Sequence, residues 1–314
     1  MSEIADQIFQ VGFLAALIRI ATPLVFATLG ELYAERSGVL NLGIEGIMLL
    51  AAMTGFSAAY FSGNLWVGVA AAALTGIAAG ALMGFLTVSL GLSQHVSGIG
   101  LTMLATGFAF FFYRLIFGQP STPPNIHAFE PVAVPVLSAI PGLGPALFDQ
   151  TALVYAAMAL VPLSAFVLHH TPWGLNLRTV GENPRAADAA GVSVAATRYQ
   201  ALMISGALMG LGGAFLSMVQ FNAFTFGVVS GRGWVAIALV VFGQWSPWRC
   251  AAGALLFAFV DALQLRLQAS SIIELPYQVF LMMPFVLTIV AMTLVSRNAR
   301  APAALLVPFR KEER

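Results

Sequence analysis

Charge is what this sequence has least of. Lys, Arg, Asp and Glu make up 9% of its 314 residues, against about a quarter in a soluble domain. The only lysine, Lys311, stands in FRKEER, so the Gly-Lys-Ser/Thr of a Walker A sequence is missing. This chain cannot hydrolyse ATP by a P-loop mechanism. A single cysteine, Cys250, permits no intrachain disulfide and suits a thiol in the core. Of the four histidines, His127 reads as a surface residue and the adjacent His169 and His170 as interfacial, because no second ligand stands at a metal spacing. No metal site is expected. A net charge of +1 with dispersed arginines excludes the basic stripe of a nucleic-acid binder. Also missing are a His-Glu-x-x-His motif, a Ser-His pair at helical spacing and an Asp dyad, which argues against an intramembrane enzyme. The first 18 residues hold no Lys or Arg, so they lack the n-region of a signal peptide and the first apolar segment is expected to be retained.

Apolar length takes the place of charge. Hydrophobic residues are 59% of the chain and mean hydropathy is +0.89. A bilayer-spanning helix needs about 20 mostly apolar residues. Such runs fall at 8–30, 43–61, 65–90, 96–117, 151–169, 199–221, 231–244, 251–267 and 277–296. They predict an all-α, polytopic integral membrane protein of eight or nine transmembrane helices, forming one domain over 1–314. Placing 31–42, 170–198, 245–250 and 297–314 in the cytoplasm gathers ten basic residues there and leaves Arg232 alone in the outer loops, as the positive-inside rule asks. The N-terminus is then outside. The Pro-rich stretch 118–150, without Lys or Arg, becomes an external cap or docking surface. Small residues recur every four positions at Gly68, Ala72, Gly76, Gly80 and Gly84, and again at Gly206, Gly210 and Ala214. Such stripes allow close helix packing.

Segment 169–200 is the most polar internal stretch of the inner side. Asn183 before Pro184 is a helix-start signal, PRAADAA at 184–190 reads as one or two helical turns, and Gly191 stops them. So short a helix needs something to dock against; the plainer alternative is a connecting loop.

Three blocks, in order, carry a resemblance: ERSGVLNLGIEGIMLLAA at 35–52, GLNLRTVGENPRAADAAGV at 174–192 and GRGWVAIALVVFGQWSPWR at 231–249. Together they resemble the permease subunits of bacterial ABC importers of the ribose, branched-chain amino-acid and nucleoside group, and most nearly the nucleoside and simple-sugar branch. The resemblance implies that Gly181, Glu182, Asn183, Pro184, Arg185, Asp188 and Gly191 form a coupling helix seated in a groove of a separate ABC ATPase subunit. It also implies a second permease, identical or homologous, an extracytoplasmic substrate-binding protein, and a multi-pass place in the bacterial inner membrane. No cofactor is expected on this chain; ATP and Mg would sit on the ATPase. Unlike ribose-type permeases, the sequence shows no extra N-terminal span starting in the cytoplasm.

A carboxylate inside a span, Glu45, needs a reason, because a charge there is costly. In one reading the glycine-rich 38–46 segment enters as irregular backbone lining a central cavity, with Asn41 and Glu45 on its polar wall. In the other, Glu45 caps the start of its own helix at the inner interface. Gln94, His95, Gln220, Asn222, Arg232 and Trp234 could share such a cavity, while Phe108, Phe110, Phe111, Phe112 and Tyr113 read as packing or interfacial aromatics. Asp261, in mid-span, is expected to pair with Arg19. The rival function is an ion-coupled secondary transporter using Glu45 or Asp261.

Overall fold

The computed structural model describes residues 11–120, 122–135, 138, 140, 143–270, 277–295 and 300–309. Seven helices among these are long and apolar enough to cross a membrane. In chain order the long helices begin with α1 (Val11–Arg36), α2 (Ile44–Ser62), α3 (Leu65–Gly84, extended by a π-turn to Ser89) and α4 (Gln94–Phe117). A short α5 (Leu143–Phe148) and a two-residue antiparallel pairing of Val132–Ala133 with Asp149–Gln150 order the loop before α6 (Ala152–His170). Two polar helices follow, α7 (Pro172–Glu182) and α8 (Pro184–Ala189), and then α9 (Val194–Phe215, with a π-turn to Gln220). The series ends with α10 (Arg232–Phe242), α11 (Pro247–Ser270) and α12 (Tyr277–Val295).

The all-α, multi-pass architecture expected from the sequence is what the chain forms. Positions 8–10 of the first expected span and Arg297, Arg310, Lys311 and Arg314 of the expected tail lie outside the described residues. We call the end that carries Arg36, Arg178, Arg185 and Arg249 the inner end, following the positive-inside rule.

The seventh expected span differs in kind. Helix α10 has 11 residues, about 16 Å of rise, which covers only half of a hydrocarbon core about 30 Å thick. The other half is non-helical. At the outer end the Ile126 N–H donates to the Asn222 carbonyl and Ala223 bridges Asn125. From there residues 224–230 descend as irregular backbone to Gly231, which lies against Glu45 at the foot of α2. Together, residues 221–242 make one broken crossing. With the seven long helices and α12, the described residues provide nine passes.

The core is built on α9, which packs against α1, α2 and α3. The two small-residue stripes meet there. A Cβ on Gly76 would lie 2.0 Å from the Gly206 carbonyl oxygen, and one on Gly206 would lie 2.0 Å from that of Gly76. Backbones this close exclude any side chain, which is why the positions are glycine. Around them Phe26, Phe56, Phe215 and Met48 are fully buried.

Candidate functional site

Helix α1 continues to Arg36 rather than ending near 30, so Glu31 and Glu35 are fully buried instead of lying in a cytoplasmic loop. Each receives a donor: the Asn41 N–H on Glu31 Oε1 at 2.9 Å, and the Trp245 indole N–H on Glu35 Oε2 at 2.6 Å. Residues 37–43 are irregular, as the glycines suggested, and neighbouring side chains hold them. Gln94 clamps them, accepting from the Leu40 N–H and donating to the Gly38 carbonyl. Thr102 donates to the Leu42 carbonyl, and Asn41, wholly buried, accepts from the Gly43 N–H. Irregular backbone at membrane depth must face protein or water, and here protein supplies every partner named. Asn41 and Gln94 both hold this backbone in place. His95 is exposed at the start of α4.

Glu45 stands in the first turn of its own helix, as the second reading has it, and its side chain also reaches another helix. Its Oε1 accepts from the Gly231 N–H at 2.8 Å and its Oε2 from the Gly233 N–H at 2.8 Å. It therefore caps the N-terminus of α10, a helix 186 residues away, where orphan N–H groups and the helix dipole favour an anion. The Gly-Arg-Gly sequence explains itself in this contact. Gly231 adopts φ +81°, and a Cβ at position 233 would stand 2.7 Å from the Glu45 carboxylate. Arg232 between them pairs with Asp261 of α11 at 3.8 Å. The expected partner of Asp261 was Arg19, which instead donates to Gln150 at the outer end. Arg232 likewise leaves the outer loop assigned to it, because the broken crossing carries it into the membrane. The two charges compensate at depth, as such charges must.

The eight tentative pathway residues thus fall at three levels. Gln94 and His95 are at the inner end, Asn41, Glu45, Arg232 and Trp234 at the break, and Gln220 and Asn222 at the outer end. Trp234 is 44% exposed, on the opposite face of the first turn of α10 from the buried Val235 and Ala236.

An open cleft lies elsewhere. Irregular residues 225–227 and Ser230 are exposed, and Thr225 and Phe226 face Phe110, Phe111 and Arg114 of α4 across a cleft whose two adjoining parts have volumes of about 520 and 310 Å³. Tyr113 and Phe110 are packed, in keeping with the sequence reading of these aromatics, whereas Phe108, Phe111 and Phe112 are exposed. The clue in the sequence was the polar, glycine-bearing stretch NAFTFGVVSGRG, 222–233, which cannot be lipid-facing helix.

At the inner end the helix expected at 184–190 forms as α8. The Asn183 side chain accepts from the Ala186 N–H, Pro184 takes the first helical position and Gly191 turns the chain at φ +85°. Helix α7 before it was not foreseen, although Thr171-Pro172 carries the same start signal and the Thr171 side chain caps the Gly174 N–H. Gly181 packs so closely that a Cβ would stand 2.1 Å from the Arg36 carbonyl oxygen, and its own carbonyl accepts from the Ala304 N–H. Glu182 receives the Ala303 N–H at 3.3 Å. Glu182, Asn183, Arg185 and Gly191 are exposed, and Pro184 and Asp188 are partly so. Arg198, counted with the inner-loop charges, is buried and ties the Ser37 and Val307 carbonyls together.

Comparison with known proteins agrees with this architecture. Residues 13–292 match the family model described as the permease component of the branched-chain amino acid transport system. The chain belongs to this permease family. It is 42% identical to a putative glucose ABC transporter permease protein of Haloferax volcanii, over 84% of this chain and 80% of that one. It is 38% identical to the guanosine ABC transporter permease protein NupQ of Bacillus subtilis, over 94% and 95% of the two chains. With the nucleoside ABC transporter permease protein NupC of Lactococcus lactis it shares 34% identity over 92% and 94%. No solved structure matches the chain. The protein is a multi-pass membrane translocation subunit of ABC-transporter type and not an enzyme.

Proposed function

We propose that this permease passes nucleosides inward through the bacterial cytoplasmic membrane. The single observation that carries the substrate class is the end-to-end match, above 90% of both chains, with permeases named for guanosine and for nucleosides. The glucose-permease relative is more identical but is matched over less of its length, and it supports simple sugars as the second reading.

In this reading a separate ATPase binds ATP and Mg and seats α7 and α8 in a groove, with Glu182 to Asp188 at the contact. A second permease completes the pathway and an external binding protein delivers substrate to the outer loops. The chain itself holds no cofactor. Its part is mechanical: ATP-driven movement of Gly181 reaches Arg36, whose guanidinium donates to the Trp245 carbonyl at 2.7 and 3.1 Å. Trp245 directly follows α10, so movement at the inner end is carried to the half-helix whose other end Glu45 holds. The ion-coupled reading loses its carboxylates, since Glu45 is engaged by two N–H groups and Asp261 by Arg232.

The test is uptake into proteoliposomes containing this permease with the ATPase, second permease and binding protein encoded beside it. ATP-dependent entry of labelled guanosine, not competed by glucose, is expected. Uptake of glucose alone, or guanosine uptake driven by an ion gradient without the ATPase, would overturn the proposal.

A further inference from the structure

We infer that the cleft between α4 and the irregular half of the broken crossing is a stacking subsite for the planar base of the transported nucleoside, with Phe226 as platform and Arg114 as edge donor. This inference rests on the nucleoside reading above.

Phe226 is held as few surface aromatics are. Its ring meets Phe110 at 4.9 Å, Tyr113 at 5.5 Å and Phe224 at 6.2 Å, at interplanar angles of 84°, 81° and 84°. Three edge-to-face neighbours fix the ring, yet 47% of the residue remains exposed. A rigid, half-open aromatic face is costly to leave in water and suited to accept another flat ring. The backbone carrying it decides between lipid and water. Residues 225–227 and 230 are exposed and non-helical at a depth between the outer end and Glu45. Exposed irregular backbone is not tolerated against lipid, so this face meets water or the second permease, and the subsite takes it to line the path between the two.

Arg114 adds direction. Its guanidinium stands 5.8 Å from the Phe226 ring centroid, and among the described residues no carboxylate pairs with it. It is exposed, one helical turn inside the end of α4 at Phe117. A guanidinium presents a planar fork of donors that matches the adjacent carbonyl and ring-nitrogen acceptors on a guanine edge. Hexoses offer neither a π face nor that acceptor pair. Among the described residues no carboxylate lines the cleft to grip the ribose, so the surface holds a base weakly enough to release it, which conduction through a path requires.

The experiment uses the complete transporter in proteoliposomes, with labelled guanosine as the probe. Phe226→Leu keeps apolar bulk and removes the π face; it is expected to lower kcat/KM for guanosine uptake about tenfold, the scale of losing one base-aromatic stack. Phe226→Trp should keep uptake within about twofold of the parent. Arg114→Gln should lower purine uptake more than uridine uptake. Stimulated ATPase activity without substrate and thermal melting report whether each variant is assembled. Uptake unchanged in Phe226→Leu, or lost equally in Phe226→Leu and Phe226→Trp, would overturn the subsite, the second outcome marking a packing role. Equal purine and uridine losses in Arg114→Gln would overturn the edge-donor role and leave Arg114 a lipid-phosphate anchor. Failure of the parent to take up any nucleoside would instead overturn the substrate class, so the two failures are distinguishable.

Discussion

Glu45 does at one point what a loop or a metal often does elsewhere: it holds the free end of a helix that begins inside the membrane. Both oxygens accept backbone N–H groups of α10, and hydrogen bonds to a charged acceptor contribute about 1.5 to 3 kcal/mol each. Glu45→Gln retains one acceptor but turns an NH2 toward the second N–H, so one bond is lost and one donor is left facing a donor. A loss of about 2 kcal/mol of stability is expected, read as a lower melting temperature in detergent. Because backbone N–H groups engage both oxygens of Glu45, guanosine and its deoxy analogues should lose uptake equally; a selective loss for the parent nucleoside would put Glu45 on the substrate path. The sequence announced that this carboxylate mattered, since a charge in a span must be answered. It could not show by what, because the answering groups are backbone N–H groups 186 residues away, and backbone donors leave no mark in composition. Gly233 was the faint trace: a residue without Cβ where a carboxylate approaches.

Among the elements, the long apolar helices were legible because 20 or so apolar residues have few other uses. Where the reading failed, length or partner was decisive. Helix α10 was taken for a span because 231–244 is apolar, but 11 helical residues do not cross a bilayer. Helix α7 is hard to read from sequence because only two of its apolar positions, Leu177 and Val180, face inward and its start signal Thr-Pro stands beside two histidines. The facing stripes of α3 and α9 were visible separately, and only the fold shows that they close on each other. Gly206→Ala would drive a methyl group to 2.0 Å from the Gly76 carbonyl oxygen, so the helices must part. A loss of at least about 3 kcal/mol is expected, the upper range of overpacking, seen as aggregation or early melting in detergent. Gly107→Ala, with nothing within 4 Å, is the matched control and should melt no lower than the parent. In the proposed coupling element Glu182 and Arg185 differ in role. Glu182 also holds the Ala303 N–H, whereas Arg185 is exposed. Arg185→Glu should therefore abolish most stimulated ATPase activity with melting unchanged, while Glu182→Lys should lower both; full coupled transport in Arg185→Glu would remove α8 from the ATPase contact.

For the whole molecule, orientation follows from charge and is carried by contacts at each end. The inner end knots four stretches: residue 37, Gly181, Arg198 and the 300–309 tail are joined by hydrogen bonds from Arg198 and Ala304. The outer end joins Arg19 to Gln150 and Ile126 to Asn222. An odd number of passes puts these two ends on opposite sides, and that parity holds only if residues 221–242 count as a crossing. If α10 were merely re-entrant, residues before and after it would exchange sides relative to each other. Cysteine labelling tests this directly, because the native Cys250 is wholly buried and gives little background. Ala128 in the 118–150 loop and Ala303 in the tail are both exposed. Ala128→Cys should react in intact cells with an impermeant maleimide, and Ala303→Cys should react only after the membrane is opened. Labelling of both from outside would show that the broken segment does not cross, and the reverse pattern would turn the molecule over, placing the α7–α8 surface where no ATPase could reach it.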